Sequence, residues 1–537
     1  GTDGSDHWHL RSRMLLITLI AIATFAALSA TAIYSYGRFA RRAQGPAGHA
    51  IPPDESPPTA LDHAVAPLTA ARPGETGILL VDDNREAFEL RALTARDAGR
   101  SLDLQYYIWK DDDTGRLLVR EVLCAADRGV RVRVLLDDIN ARGKDRAILA
   151  LDSHPRIEVR LFNPARNRDD AWRRAGEMLL RAVSLNRRMH NKAWIADGRV
   201  AIVGGRNVGD EYFDAAEQVN FQDADLLLVG PAVPQASAIF DGFWNSAAVI
   251  PIRALHRMRW RRRHRMLPDV RDVLETLALG KADSPWLGRM ADASLGLSSR
   301  IGTAGRLSWS TDVEVVSDPP EKAATFSQHQ LPERWLVHEL TRLMAGVQGE
   351  SLLTSPYFVP GEEVAAQLVA RSTAGATVRV LTNSLAATDV ALVHAGYSKY
   401  RKALLAGGVW IHELKPVHRR RIGLLGSRRA SLHTKAMVVD ERRGFVGSFN
   451  LDPRSVQLNT EMGVLFADAL LVGRLRALFE RSAAPSASYR LRLEDGALRW
   501  EDDSRQGGSA WTHEPETSAW RRLLIAIVRW LPIESQL

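Results

Sequence analysis

The stretch His190-Asn191-Lys192-Ala193-Trp194-Ile195-Ala196-Asp197 has the pattern H-x-K-x-x-x-x-D, and His433-Thr434-Lys435-Ala436-Met437-Val438-Val439-Asp440 repeats it. Each copy runs into a short apolar segment and then a Gly-rich turn that ends in Asn, at residues 203–207 and 446–450. Two separated copies of one motif predict a single pocket built from two half-sites. Such a pocket would offer two histidines for chemistry, with two lysines and two amides to hold an anion.

The repeat extends beyond the motif. Residues 100–108 resemble residues 350–358, and each stretch is followed by a helical pattern and a strand-forming run. Alternate side chains of a strand share a face, so the His and the Lys of each motif are expected to point the same way. Strands that alternate with helices predict an α/β fold with largely parallel sheets. A repeat this long indicates a duplicated domain, with lobes over residues 77–250 and 311–485.

The paired motif and its flanking phrases resemble a known family. The chain is similar to the phospholipase D superfamily, whose members carry two such motifs, and within it to the bacterial cardiolipin synthases of the C type. The phrases that carry this second similarity are residues 102–109, 355–360, 381–389 and 531–534. The resemblance implies two duplicated phospholipase D-type α/β lobes that share one active site acting on phosphodiesters.

Phosphodiesters resist attack because they are anionic, and the motif supplies groups that counter this charge. Lys192 and Lys435 can neutralise the phosphate as point charges. Asn207, Ser448 and Asn450 can donate hydrogen bonds to the phosphate oxygens. The same donors would stabilise the charge that develops in the transition state.

The resemblance implies that one histidine acts covalently and the other as a general acid and base. In the superfamily the first histidine is usually the nucleophile, so we assign that role to His190 and the acid–base role to His433, although the sequence treats both motifs alike. A nucleophilic imidazole needs an acceptor for its other nitrogen. We expect Glu461 to be one such carboxylate, and Asp223, or alternatively Asp225, to be its counterpart in the first half.

Three further motif residues have less direct roles. Asp197 and Asp440 complete the two catalytic motifs, and we expect them to order the turn after each strand rather than to take part in chemistry. Comparison of the two turns pairs Arg206 with Ser448. Arg206 is then either an extra phosphate clamp or a side chain that points into solvent, and we favour solvent.

The sequence indicates neither a metal nor a cofactor. Lysine is not a usual metal ligand, and the chain contains no H-E-x-x-H motif, cysteine cluster or P-loop. Asp111, Asp112 and Asp113 lack the spacing of a calcium loop and predict a solvated turn. Because Cys124 is the only cysteine, an intramolecular disulfide is excluded.

The N-terminal region predicts a membrane anchor. Residues 14–37 carry no charge and are mostly aliphatic, which is long enough to cross a bilayer as one helix. A cleaved signal peptide is the alternative, because residues 30–32 fit a cleavage site, but the apolar run is long for that role. Basic residues flank both ends, which leaves the orientation open. We expect a single-pass protein of the bacterial inner membrane, with a tail over residues 1–13 and a Pro-rich linker over 38–76.

Two more segments are amphipathic or basic. Residues 486–537 predict a β-hairpin followed by a helix that either lies in a membrane interface or docks on the catalytic core. The apolar face of that helix comprises Trp520, Leu523, Leu524, Ile527, Val528 and Leu531. The connection between the lobes, residues 251–310, begins with an arginine cluster at 253–265. This cluster suits lipid headgroups, a nucleic-acid backbone or a solvated helix face. A net charge of +8 favours an anionic partner or surface.

Two classes of enzymatic function follow. The first is a membrane-bound phosphatidyltransferase that makes cardiolipin from phosphatidylglycerol and a second phospholipid, either phosphatidylglycerol or phosphatidylethanolamine. The second is a hydrolase, either a phospholipase D or a membrane-tethered nuclease, in which water is the acceptor. Nucleic acid is the less expected substrate, because no aromatic run for base stacking lies near the motifs. A non-catalytic binding module is disfavoured because both half-sites are intact, and no protein partner is indicated.

Overall fold

Both motifs run into strands that are buried along their whole length, which is why these strands are continuously apolar instead of alternating. Around them, two mixed α/β lobes are built on two large β-sheets. The computed structural model describes residues 3–256, 265–284, 286, 296–323, 335–416, 429–504 and 509–529.

The first lobe contains a nine-stranded sheet. Its strands are β1 Thr76–Val81, β2 Ser101–Tyr106, β3 Arg131–Asp137, β4 Ile157–Phe162, β5 Ala193–Ala196, β6 Val200–Gly204, β8 Asp225–Val229, β9 Val249–Pro251 and β10 Ser308–Ser310. They lie in the order β10-β1-β8-β6-β5-β2-β3-β4-β9. Only β2, β3 and β4 are mutually parallel.

The second lobe contains a ten-stranded sheet. Its strands are β11 Val313–Ser317, β12 Glu350–Thr354, β13 Thr377–Asn383, β14 Trp410–Leu414, β16 Ala436–Val439, β17 Arg443–Gly447, β18 Met462–Ala467, β19 Ser488–Glu494, β20 Ala497–Asp502 and β21 Ser509–Trp511. They lie in the order β11-β18-β17-β16-β12-β13-β14-β19-β20-β21. Again only three strands, β12, β13 and β14, are mutually parallel.

The two sheets share one strand order over eight positions. The series β1-β8-β6-β5-β2-β3-β4-β9 in the first lobe matches β11-β18-β17-β16-β12-β13-β14-β19 in the second. The duplicated α/β fold is therefore confirmed. The expectation of largely parallel sheets is wrong, because each motif strand returns through a tight hairpin, β5–β6 or β16–β17, which makes its partners antiparallel.

Helices pack against both sheets, and α9 and α18 also contribute to the apolar cluster between the lobes. Those before the second sheet are α1 Asp3–Ala43, α2 Ala60–Ala70, α3 Asn84–Asp97, α4 Asp113–Asp127, α5 Asp138–Ala141, α6 Asp145–Leu151, α7 Ala171–Leu180, α8 Ala182–Leu185, α9 Ala232–Trp244, α10 Ile252–Leu255, α11 Met266–Gly280 and α12 Leu297–Ile301. The later ones are α13 Leu336–Ala345, α14 Gly361–Thr373, α15 Ala391–Tyr397, α16 Arg401–Ala406, α17 Pro453–Gln457, α18 Ala469–Ala483 and α19 Ala519–Val528.

The two lobes meet along their motif strands. One buried apolar cluster contains Ile195 and Val203 of the first sheet together with Val438 and Val446 of the second. Two short strands, β7 Val219–Gln222 and β15 Arg429–Leu432, pair in parallel across the boundary between the lobes. This packing brings both H-x-K segments to one seam.

The N-terminal helix α1 is longer than the predicted anchor. Within the described part of the chain it contains one stretch, Arg11–Ala43, that is long and apolar enough to cross a bilayer. Residues 11–28 are exposed, whereas Ala40 near the C-terminal end of the helix is buried against the first lobe. The free part of the helix therefore has the length and composition of a membrane anchor.

The following segment differs from the predicted Pro-rich spacer over residues 38–76. Within it, α2 docks on the first lobe with Leu61 and Val65 buried. Thr59 and Asp62 form a capping box that starts this helix, and Asp62 also pairs with Arg100 at 2.7 Å. A capped helix with an apolar face thus fixes the segment to the body, although its prolines suggested an extended chain.

The C-terminal region combines two of the expected features. β19 and β20 form a hairpin that extends the second sheet. Helix α19 contacts α15 through buried Ile525, whereas its residues Trp520, Leu523, Leu524 and Ile527 remain exposed. Its predicted face is therefore docked along one edge only, and Leu531 lies outside the described residues. Of the arginine cluster, Arg253 pairs with Glu158 at 3.1 Å, and residues 257–264 also lie outside the described part.

Candidate active site

The H-x-K segments are extended chain that leads into the sheets. Each motif strand begins three residues after its histidine, so the His and Lys side chains precede the strand instead of lying within it. The backbone amide of His190 donates to the carbonyl of Thr460 at 2.8 Å, and that of His433 donates to the carbonyl of Gln222 at 2.8 Å. Each motif is thus held by backbone of the opposite lobe.

Each histidine also takes its carboxylate from the opposite lobe. Nδ1 of His190 lies 2.8 Å from Oε2 of Glu461, and Nδ1 of His433 lies 2.5 Å from Oδ2 of Asp223. An ionised carboxylate can only accept, so Nδ1 carries the proton and Nε2 keeps its lone pair. The predicted pair of orienting carboxylates therefore lies beside the histidines, but crossed between the two half-sites.

Two hydroxyls hold the Glu461 carboxylate in place. Ser448 donates to Oε2 at 2.5 Å, and Ser455 donates to Oε1 at 2.9 Å. Ser448 was expected to bind phosphate directly, whereas here its hydroxyl donates its hydrogen bond to Glu461. Its contact with the phosphate-binding region is consequently indirect, through the carboxylate and His190.

The strand registers correct the comparison of the two turns. Ala193 faces Val203 in β5–β6, and Ala436 faces Val446 in β16–β17. Counting on from these pairs, Ser448 corresponds to the first turn's Gly205, and Arg206 corresponds to a phenylalanine. A side chain at Gly205 is excluded, because its Cβ would lie 2.3 Å from the Asp223 carboxylate.

Arg206 is fully buried, so the expectation that it points into solvent is wrong. Its guanidinium donates to the carbonyl of Val81 at 2.7 Å and to Asn84 at 3.0 Å, and lies 3.3 Å from Asp225. A buried charge needs such partners to offset its lost hydration. Asp225 also pairs with Arg91 at 2.8 Å, so it is not the carboxylate that orients a histidine.

The two lysines are buried between the half-sites. Lys192 donates to the carbonyl of His190 at 2.6 Å, and Lys435 donates to that of His433. Burial lowers the pKa of Lys192 to about 7 and that of Lys435 to about 8. An anion placed between them would restore both charges, because it supplies the counter-charge that burial removes.

The predicted amide donors are not equivalent. Asn207 is engaged at both atoms of its terminal group, since its NH2 group donates to the hydroxyl of Tyr212 at 2.9 Å and its carbonyl accepts from the amide of Ile108 at 3.1 Å. Among the described residues, Oδ1 of Asn450 has no hydrogen-bond partner although it is buried. Of the two amides, Asn450 therefore retains the greater hydrogen-bonding capacity for a ligand, in either orientation of its terminal group.

Burial controls the protonation of the histidines. It lowers the pKa of His190 to about 4 and lowers that of His433 as well, in each case against the attraction of the adjacent carboxylate. For Glu461 and Asp223, burial acts upward, but the neighbouring histidine and lysines leave both carboxyl pKa values lowered. Burial by itself thus favours neutral imidazoles hydrogen-bonded to carboxylates.

The motif aspartates lie at the other end of the strands. Asp197 and Asp440 both adopt positive φ, 53° and 54°. Asp197 accepts from the amides of Arg100 and Ser101 at 2.7 and 2.9 Å, and Asp440 accepts from that of Glu350 at 3.0 Å. Each aspartate ties the end of a motif strand to the start of its neighbour and contacts neither histidine.

Aromatic rings that the sequence analysis did not place in the site surround the histidines. The ring of Tyr107 meets His190 edge-on with centroids 4.9 Å apart, and Tyr212 meets His433 edge-on at 5.2 Å. Phe221 lies 5.0 Å from His433. The signal for Tyr107 was its position directly after β2, whereas Tyr212 ends a short 3-10 helix and Phe221 lies in β7, neither of which belongs to an H-x-K motif.

One other group of potential metal ligands occurs in the described residues, away from the histidine pair. It comprises His394, Glu413 and Glu514. The guanidinium of Arg401 contacts both glutamates, at 3.1 and 2.7 Å, and so supplies the positive charge that a metal would bring. This cluster is a buried ion-pair network that fastens the C-terminal segment to the second lobe.

Comparison with known proteins agrees with this geometry. A family profile described as "Cardiolipin synthase, PLD-like domain" matches residues 94–244 and 340–483, which contain both motifs. Cardiolipin synthase C of Escherichia coli (strain K12) is 38% identical over 494 residues, covering 88% of this chain and 99% of that protein. A cardiolipin synthase of Staphylococcus aureus (strain Mu50) is 24% identical, covering 77% of this chain and 68% of that protein.

Among solved structures, a phosphatidylserine synthase of Haemophilus influenzae Rd KW20 has a similar fold. The match covers 86% of this chain and 95% of that chain, with a TM-score of 0.54 and 14% identity. At this identity the likeness concerns the fold alone. The profile on both lobes and the close relative that it spans almost completely confirm the predicted resemblance, and the chain belongs to the phospholipase D-like family that contains the cardiolipin synthases.

Proposed function

We propose that this protein is a membrane-bound phosphatidyltransferase that makes cardiolipin from phosphatidylglycerol and a second phospholipid through a phosphohistidine. The observation that carries the proposal is the crossed pair His190–Glu461 and His433–Asp223 beside two buried lysines. The relatives named cardiolipin synthase support phospholipid as the substrate class.

In the first step, Nε2 of neutral His190 attacks phosphorus and forms a P–N bond. The P–O bond to the departing alcohol breaks, and His433, which the bound phosphate and Asp223 hold in its protonated form, gives that oxygen its proton. Lys192 and Lys435 balance the phosphate charge, and Asn450 binds one of its oxygens. The products are phosphatidyl-His190, a free alcohol and neutral His433.

In the second step, neutral His433 takes the proton of the acceptor hydroxyl as its oxygen attacks phosphorus. The P–N bond breaks, which returns His190 to its neutral form and His433 to its protonated form. The acceptor is the glycerol hydroxyl of a second phosphatidylglycerol, and with phosphatidylethanolamine as donor the first alcohol released is ethanolamine.

The environments of the two histidines support this division of roles. Glu461 shares its charge with the hydroxyls of Ser448 and Ser455, which weakens its pull on a proton at His190. Asp223 lies closer to His433, at 2.5 Å against 2.8 Å, and so stabilises a positive charge on that ring better. His190 is therefore the better neutral nucleophile and His433 the better acid.

We also propose that α1 anchors the protein as a single-pass helix in the bacterial inner membrane. Its free part, residues 11–28, is apolar and fully exposed. An anchored active site meets its two lipid substrates in the plane of the bilayer, where their local concentration is high.

A product assay tests the enzymatic proposal. Purified protein would receive phosphatidylglycerol, with and without phosphatidylethanolamine, and lipids would be followed by mass spectrometry against the His190→Ala variant. Cardiolipin with released glycerol or ethanolamine is the expected result and identifies the donor. Phosphatidic acid alone would make water the acceptor and the protein a phospholipase D, and the absence of any lipid product would contradict the lipid substrate class.

A further inference from the structure

An apolar cavity of about 440 Å³ lies in the first lobe, between the sheet and helices α4, α6 and α11. This volume lies in the range of ordinary ligand pockets. Its walls are aliphatic and come from two strands and all three helices, among them Val122, Val134, Leu136, Ile148, Val159 and Leu274. An unfilled apolar cavity costs stability in proportion to its size, so its interior suits a flexible hydrocarbon.

The cavity shares part of its wall with the catalytic site. Tyr107, whose ring contacts His190, is part of its wall. Asp137 is another wall residue, and its carboxylate accepts from the amide of Met189, next to His190, at 3.0 Å. One end of the cavity therefore lies beside the proposed nucleophile, with Tyr107 between them.

The mouth of the cavity has the opposite character. Besides Asp137, the charged lining residues are Lys110, Asp111, Arg116, Lys144, Arg146 and Asp269. Three of the four basic side chains already pair with a carboxylate, Lys110 with Glu211, Arg116 with Asp111 and Arg146 with Asp269. A charged mouth with one more basic than acidic lining residue, around an aliphatic interior, suits the polar headgroup and the long apolar tail of an amphiphile. Free fatty acids and phospholipids share this chemistry, but only a phospholipid also places a phosphodiester beside the histidines.

We propose that this cavity holds an acyl chain of the phosphatidyl donor during attack by His190. The proposal rests on the proposed phosphatidyl transfer and adds to it a binding site for the part of the lipid that does not react. Remote binding energy of this kind can position the phosphorus for reaction. The donor's chain length should therefore influence the rate although the chain takes no part in chemistry.

Filling the cavity tests the proposal. Val270 of α11 is partly exposed and lines the cavity, so Val270→Trp would occupy it without disturbing the sheet. Leu279→Trp is the matched control, because it enlarges a largely exposed side chain of the same helix that does not line the cavity. We expect Val270→Trp to lower kcat/KM for dioleoyl phosphatidylglycerol roughly tenfold or more, since several buried methylenes are lost. The rate with the dihexanoyl lipid should change little.

An equal loss with both lipids, or an unchanged preference for the long chain, would overturn the cavity's role. A second measurement separates this failure from failure of the proposed activity. Full-length protein would be irradiated with phosphatidylglycerol that carries a diazirine at the end of one acyl chain, and the labelled peptides would be mapped. Label on residues 266–274 is expected and should disappear in Val270→Trp, whereas label confined to α1 would contradict the proposal even if cardiolipin is made.

A different observation concerns α7, which has an apolar face without a protein partner in the described residues. Trp172 is 89% exposed, and Leu179 and Val183, on the same side of the chain, are each 63% exposed. Arg173 and Arg174 lie off this face. Such a distribution is typical of a helix that lies in a membrane interface.

The position of the N-terminal anchor indicates that the surface of the bilayer covers this face of α7. Ser29 of α1 donates to the carbonyl of Leu180 at 2.5 Å, and Arg181 lies over the ring of Tyr36 at 3.2 Å. Residues 11–28 project free of the body from this point, over about 27 Å at ~1.5 Å per residue. That length is close to the thickness of a bilayer's apolar core, so its near surface meets α7.

We infer that α7 rests in the bilayer surface as a second membrane contact. It precedes His190 by few residues, so this contact would hold the catalytic seam at the level of the lipid headgroups. Met178 of α7 also contacts Arg142, next to the mouth of the cavity. The interface would thus lie beside both the histidines and the proposed acyl-chain site.

Nitroxide labels in full-length protein test this contact. Leu179→Cys and Arg173→Cys would be labelled separately in a Cys124→Ala background and placed in phosphatidylglycerol-containing nanodiscs. We expect the label at 179 to be accessible to oxygen and shielded from a water-soluble nickel chelate, with the reverse at 173 on the polar side of the same helix. Equal access of the nickel chelate to both labels would overturn the inference.

Discussion

At the scale of single residues, the site is governed by burial of groups that would be charged in water. His190 is neutral because desolvation outweighs the attraction of Glu461, and Lys192 and Lys435 lose much of their basicity for the same reason. The unliganded site therefore carries a smaller positive charge than its residues suggest. Binding of a phosphate group and uptake of protons are coupled.

This coupling gives a pH-dependent prediction. The pKa values of Lys192 and Lys435 are lowered to about 7 and about 8, so near pH 8 both are partly neutral before an anion binds. The anion raises both values, and binding should take up protons from the buffer. Calorimetric titration with a non-hydrolysable phosphodiester, in buffers of different ionisation enthalpy, measures this uptake. Lys435→Met should reduce it, and an unchanged proton count in that variant would contradict the argument.

The two histidines should respond differently to removal. His190→Ala loses the nucleophile and should abolish both turnover and the phosphoenzyme. His433→Ala loses the acid, which costs about 10²–10⁴-fold with an ordinary alcohol leaving group. A nitrophenyl leaving group needs no proton, so phosphoenzyme formation by His433→Ala should recover with such an ester. Rapid-quench labelling measures this, and recovery in His190→Ala instead would reverse the roles.

At the scale of elements, the last residue of each motif fastens strands and contacts neither histidine. The Asp197 carboxylate accepts from three consecutive amides at the start of β2, at 2.7 to 2.9 Å. Asp440 does the same for β12, with Gly349 at 2.7 Å and Glu350 at 3.0 Å. These contacts set the register of each motif strand and hence the position of its histidine.

Asp197→Asn isolates this structural role. Asparagine tolerates the positive φ at this position but loses the charge that strengthens the hydrogen bonds. We expect a loss of about 1–3 kcal/mol in the free energy of unfolding. The kcat of the folded fraction should remain near wild type. Urea denaturation and activity at low temperature measure the two quantities, and a large fall in kcat without loss of stability would assign the aspartate to chemistry.

At the scale of the whole molecule, neither lobe contains both a motif histidine and the carboxylate that orients it. Glu461 in the second lobe holds His190 in the first, and Asp223 in the first holds His433 in the second. The lobes share one buried apolar core and a two-stranded sheet, which fixes these distances. Each lobe therefore needs the other to complete its own histidine–carboxylate pair.

The crossing predicts which step each carboxylate affects. Glu461→Gln should slow formation of the phosphohistidine on His190, although Glu461 belongs to the second motif's lobe. Asp223→Asn should mainly slow proton transfer by His433 and lose its effect with a nitrophenyl leaving group. Single-turnover kinetics on the two variants separate these steps. Effects confined to the histidine of each carboxylate's own lobe would contradict the crossed arrangement.

The sequence by itself determined the duplication, the lobes and the residue types of the site, because two copies of one motif and matching strand patterns are local and periodic. Its errors were equally local. The polarity of Arg206 suggested a solvent-exposed side chain, and the prolines of residues 38–76 suggested an extended linker. The alternation of strands and helices suggested largely parallel sheets. In each case a long-range contact decided otherwise: buried ion pairs, a docked α2, and hairpins beside the motif strands.

Only the tertiary structure decided how the half-sites combine. Glu461 and Asp223 are each close in sequence to one motif, and no local sequence pattern indicates that each of them binds the histidine of the other motif. Packing the two sheets on a common core brings the end of β7 to His433 and the start of β18 to His190. A contact between residues more than two hundred positions apart depends on that packing, because side-chain patterns encode which face is buried and not which partner it meets.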